Sequence, residues 1–217
     1  MENTNNINSR ILKISTAIFG WVAVILQFYL IILNRTTYIS ETIIRYFSFF
    51  TIESNLLVAL CFSILVLKPK SKMGLFFEKT PNITAVTLYI LIVGITYNLI
   101  LRFLWQPSGF QKIADELLHS VIPTLVLLHW LFFTQKQNLK YKHISSWLIF
   151  PSLFLIYTLI RGHFVLNYPY PFLDVTVLGY PTVLLNSLYM VMMFLFVGCL
   201  LIFVGRKMQH SKNNTSF

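Results

Sequence analysis

Charge is scarce in this sequence. Only 11% of its 217 residues are Asp, Glu, Lys or Arg, against about 25% in an ordinary soluble domain. That shortage excludes a soluble globular protein, and the 56% apolar share and mean hydropathy of +0.70 point the same way. Cysteine is nearly absent. Cys61 and Cys199 are too few for a disulfide framework or a thiolate metal site. Both fall inside apolar runs, where they read as small buried fillers. Internal repeats and low-complexity blocks are missing as well. No small-x-small cleavage pattern follows the first apolar run, so that run reads as a retained span rather than a signal peptide.

What the sequence has is long apolar runs. A spanning helix needs about 20 mostly apolar residues. Six candidates lie at 12–34, 44–67, 83–105, 117–134, 145–161 and 183–205, joined by short connections that hold most of the charge. The expected fold is an all-α membrane protein, a bundle of six transmembrane helices over residues 12–205. Residues 1–11 are expected to be a disordered N-terminal segment and residues 206–217 a cytoplasmic tail.

Basic residues orient such a bundle. Arg10 and Lys13 precede the first span; Lys68, Lys70, Lys72 and Lys79 lie between the second and third. Lys136, Lys140 and Lys142 lie between the fourth and fifth, and Arg206, Lys207 and Lys212 follow the sixth. Six spans put all of these on one side, so both termini are expected in the cytoplasm and the cell membrane, bacterial and cytoplasmic, is the expected location. The net charge of +10 is then a topology signal rather than a nucleic-acid patch. Membrane lipids with anionic headgroups are the expected partners.

Polar residues gather at the opposite end. The stretch RYFSFFTIESNLL (45–57) carries Arg45, Ser48, Thr51, Glu53 and Asn55. On one continuous helix, counted from Ser48, Arg45 falls near about +60°, Thr51 near about −60° and Asn55 near about −20°. Those four form one stripe, while Glu53 stands apart near about +140°. The fourth span begins DELLHSVIPTLVLLHW, with Asp115 four residues before His119 and therefore able to orient its imidazole; Glu116 is a second candidate. Pro123 removes a bond to the carbonyl of His119 and predicts a kink there. Asn98 and Arg102 share a face at the end of the third span. The fifth ends with Tyr157, Arg161 and His163, and the last outer loop carries Asp174. Deeper in the bundle, His129 reads as structural.

A hydroxyl, a histidine and a carboxylate at one depth are the parts of a Ser/Thr nucleophile system. On that reading Ser48 or Thr51 attacks an acyl carbonyl, and His119 is the base, oriented by Asp115 or Glu116. Arg45, Asn55, Asn98, Arg102, Arg161 and Asp174 are candidates to orient these groups or bind substrate, and no metal or organic cofactor is required. The alternative is a non-enzymatic membrane protein that binds or transports a small anionic or lipid-like ligand. Transport needs a polar path to the other side, where only Glu53 and His129 lie deeper.

RYFSFFTIESNLLVAL, LLHSVIPTLVLLHW, YNLILR and YPYPFLD together resemble the androgen-induced/androgen-dependent membrane hydrolase family and its bacterial relatives, the Pr-six-Pr integral membrane proteins. The likeness extends over nearly the whole chain in helix number and order. It implies hydrolysis of lipid esters by a threonine nucleophile and a histidine. The histidine position falls on His119. The threonine position falls on Ser48 if Arg45 matches the motif's basic residue, with Thr51 as the alternative.

Overall fold

The structure, a computed structural model, describes residues 2–214 and is helical throughout, with no strand among the described residues. Six segments are long and apolar enough to cross a membrane: 6–33, 50–67, 80–103, 109–133, 143–165 and 175–210. The first is α1 (Glu2–Leu33). A short α2 (Ile39–Phe47) leads into α3 (Phe50–Leu67), and α4 (Lys72–Glu78) joins α3 to α5 (Thr80–Leu99). Then come α6 (Gly109–Glu116) and α7 (Ile122–Phe133), joined by a π-helical turn at Leu117–Val121. The chain finishes with α8 (His143–Trp147), α9 (Ile149–Val165) and α10 (Val175–Asn214).

The core is built on α3, which packs most extensively on α1 and also on α5. Gly20 of α1 lets the two backbones close up: a Cβ there would sit 3.0 Å from the Cβ of Ala59. Small residues at a crossing allow this approach in a bilayer, where dispersion contact rather than water exclusion joins helices. Val58, Ala59, Cys61 and Phe62 are wholly buried at this seam. By contrast α9 turns Leu153, Ile156, Ile160 and Phe164 outward. In water such a stripe would be costly; against lipid tails it is the low-energy surface.

Several expectations need correction. Residues 2–11 are not a separate segment but the first turns of α1; a helix nucleated by an apolar span propagates through weak formers at little extra cost. Likewise α10 runs on to Asn214, while Met1 and residues 215–217 lie outside the described residues. The second apolar run is not one helix. Ser48 closes α2, its hydroxyl donating to the Ile44 carbonyl at 2.6 Å, and Phe49 is extended (φ −95°, ψ 124°) before α3 begins. The fourth span starts at Gly109, well before 117, so Asp115 lies inside it. Gly179, at φ 75° and ψ 157°, bends α10 just before Pro181; a side chain would strain that backbone. Lys136 is not on a solvated loop. It is 5% exposed, and its ammonium caps the end of α7 at the carbonyls of Trp130 and Thr134. Cys61 is buried as expected, but Cys199 is exposed.

Candidate functional site

The π-helical turn organises the site. Pro123 cannot donate to the carbonyl of His119, and two asparagines take up the loosened backbone. Asn98 of α5 donates to the His119 carbonyl at 3.1 Å, and Asn55 of α3 donates to the Leu118 carbonyl at 3.2 Å. The same Asn55 nitrogen donates to the Thr51 carbonyl at 2.8 Å. One amide group therefore ties the residue bearing a hydroxyl to the residue before the histidine. Gly94 permits the fit, since a Cβ there would lie 3.1 Å from the His119 carbonyl oxygen and from the Pro123 side chain.

His119 is held through Nδ1. That nitrogen lies 2.9 Å from the Asp115 carbonyl oxygen and 3.2 Å from its carboxylate Oδ1. Both oxygens only accept, so Nδ1 carries the proton and Nε2 of the neutral ring keeps its lone pair. Tyr97 stacks on the imidazole, with ring centroids 3.9 Å apart at 14°, and donates its hydroxyl to Asp115 Oδ2. Asp115 is 4% exposed and His119 13%, so the pair sits in a largely water-free setting that strengthens both contacts.

Thr51 and His119 line the same space. A mainly apolar cavity of about 100 Å³ reaches from them between α5, α9 and α10, past Thr96, Phe154 and Phe194. It continues outward into a cavity of about 440 Å³ lined also by Asp115, Tyr97, Trp105 and Tyr170. The Tyr170 hydroxyl accepts from the Thr51 backbone N–H at 3.1 Å and lies 3.3 Å from Thr51 Oγ1. Desolvation pushes the Tyr170 phenol above its ordinary value, so it stays a neutral O–H.

Ser48 is elsewhere. Besides bonding Ile44, its hydroxyl meets the Tyr157 hydroxyl at 2.9 Å, and it lines a different cavity with Arg45 and Arg161. The predicted stripe of Arg45, Ser48, Thr51 and Asn55 is therefore split in two, because the break at Phe49 removes the common helical phase. Arg45 and Arg161 both reach Glu41 Oε1, at 2.9 and 2.5 Å.

The remaining candidates have other work. Glu116 does not orient His119; it accepts from Arg102 at 2.7 Å and from Ser120 at 2.8 Å. Arg102 is committed to that pair and rests 5.3 Å from the Tyr97 ring centroid. Asp174 accepts from the Thr176 backbone N–H at 2.9 Å and caps the start of α10. Glu53 is half-buried and joins no ion pair among the described residues. His129 is buried between Phe62 and Phe133. Among the described residues no cluster of His, Cys, Asp or Glu could hold a metal ion.

Tyr97, Tyr170, Thr96 and Glu41 were not singled out by sequence. The available signals were YNLILR, which begins with Tyr97, and the YPYPFLD loop, which contains Tyr170. Comparison of the chain with protein-family models, curated proteins and solved structures finds no match.

Proposed function

We propose that the protein is a lipid-ester hydrolase with Thr51 as nucleophile and His119 as general base. The observation that carries this reading is the shared cavity: Thr51 and His119 face one space, and His119 is oriented by Asp115 with Nε2 free to take a proton. An ester carbonyl in that space would be attacked by Thr51 Oγ1 while Nε2 receives its proton. The alcohol would leave with that proton, and water, activated by the same nitrogen, would release the acid. The Tyr170 hydroxyl, 3.3 Å from the attacking oxygen, is the candidate donor to the developing oxyanion. The apolar reach between α9 and α10 suits an acyl chain.

Ser48 does not share this role, since its cavity excludes His119. The resemblance of the RYFSFFTIESNLL, LLHSVIPT and YPYPFLD stretches to a membrane-hydrolase family supports the same chemistry, with Thr51 rather than Ser48 in the threonine role. We place both termini in the cytoplasm and the reacting groups in the outer leaflet of the cell membrane, on the distribution of Lys and Arg.

The test uses purified protein in detergent with a fluorophosphonate probe. Labelling is expected in wild type and in Ser48→Ala, and is lost in Thr51→Ala and His119→Ala. Labelling that survives Thr51→Ala, or an absence of both labelling and turnover over a panel of lipid esters, overturns the proposal.

A further inference from the structure

A second cavity, of about 320 Å³, lies beside the site and differs from it in chemistry. Three arginines line it, Arg35, Arg45 and Arg161, and no acidic residue does; Arg35 also donates to the Ile32 carbonyl at 3.0 Å. Glu41 holds Arg45 and Arg161 through one oxygen but is not part of the wall. It therefore acts as a backing carboxylate, fixing two forks whose remaining N–H groups are available to a ligand. Arg161 is 10% exposed and anchored further by the Asn167 carbonyl at 3.4 Å. A cationic wall with fixed forks and neighbouring hydroxyls, Thr36 and Ser48 among them, offers many donors and no carboxylate.

We infer that this cavity binds the phosphate of an anionic glycerophospholipid. A phosphate offers several oxygens to several donors, which is what bidentate guanidinium groups recognise. The cavity adjoins the end of α1 and the start of α2, where a six-span bundle meets the headgroup layer. It also abuts the outer cavity of the reaction site: Gln27, Phe49, Gln111 and Pro169 line both. One lipid can set its phosphate among the arginines and turn an acyl ester toward Thr51. That substrate assignment rests on the hydrolase reading; the binding of phosphate does not.

The experiment measures binding to the full chain in detergent, with dioctanoyl phosphatidic acid, dioctanoylglycerol and inorganic phosphate as probes. Phosphatidic acid is expected to bind wild type and His119→Ala alike. Affinity is expected to fall about tenfold or more in Arg161→Gln and in Arg35→Gln. Arg35→Gln leaves the Glu41 pairs intact, so it reports on the cavity even where Arg161→Gln disturbs folding. Equal affinity for dioctanoylglycerol, or unchanged affinity in Arg35→Gln, overturns the inference. Inorganic phosphate binding as tightly as phosphatidic acid overturns the lipid assignment and leaves a free-anion site. Binding without ester turnover retains this site and removes the hydrolase reading; turnover without binding does the reverse.

Discussion

Tyr97 acts on His119 in two ways, and one substitution separates them. Its ring stacks on the imidazole while its hydroxyl bonds Asp115. Tyr97→Phe keeps the stack and removes the hydroxyl, so Asp115 is held by one partner fewer and its hold on Nδ1 loosens. Tyr97 is a positioning residue on this argument. The expected result is a fall in kcat of about tenfold with KM little changed, because only transition-state orientation suffers. A KM effect with unchanged kcat would show that Tyr97 merely lines the substrate space. The i, i+4 pairing of Asp115 with His119 was legible in the sequence because one helix carries both residues. Tyr97 was not, since its contact to Asp115 crosses from α5 to α6 and no local pattern encodes it.

The elements behave the same way: continuity could be read, interruptions only in part. Six apolar runs marked the spans, and Pro123 marked the π-helical turn that precedes α7. The break at Ser48–Phe49 escaped, because FSFF is apolar on either side and nothing in it forbids a helix. That break decides which hydroxyl shares a cavity with His119, so the choice between Ser48 and Thr51 could not be made on helical phase. Gly94 gives the first test at this scale. Gly94→Ala places a methyl 3.1 Å from the His119 carbonyl oxygen and Pro123. The π-helical turn must shift, at a cost of about 1–3 kcal/mol for an overpacked contact. Lower thermal stability together with reduced probe labelling is expected, and a variant indistinguishable from wild type in both would remove the turn from the argument.

Glu41 gives the second. Arg45 and then Arg161 hold its carboxyl below the ordinary 4.5, against the opposing effect of desolvation. A carboxylate lowered in the folded state contributes stability that is fully present above its unfolded value. That contribution is lost as pH falls through the folded value. The melting midpoint should therefore drop below about pH 4.5 through loss of the tie between α2 and α9, and Glu41→Gln should flatten that portion of the profile. A wild-type midpoint with the same acid profile as Glu41→Gln would show the tie to be energetically neutral.

At the scale of the whole molecule the two ends are electrically unlike. The end bearing the candidate site has Arg35, Arg45, Arg102, Lys112 and Arg161 against Glu41, Glu53, Asp115, Glu116 and Asp174. Those charges balance, so the formal net charge of +10 belongs to the other end, where Glu2 and Glu78 are the only acidic residues in the sequence. The longest helices project at that basic end. The 32 residues of α1 and the 40 of α10 exceed the roughly 20 that cross a bilayer. Their surplus carries Arg10 and Lys13 in one case and Arg206 and Lys207 in the other. Basic segments flanking spans resist translocation, so this end should remain in the cytoplasm and the site should open outward. A fluorescent protein fused after Phe217 should fluoresce while alkaline phosphatase fused there stays inactive. Phosphatase inserted in the 106–108 connection should be active. The opposite pair of results would turn the molecule over, place the arginine-lined cavity in the inner leaflet, and make cytoplasmic lipids the ones that reach Thr51.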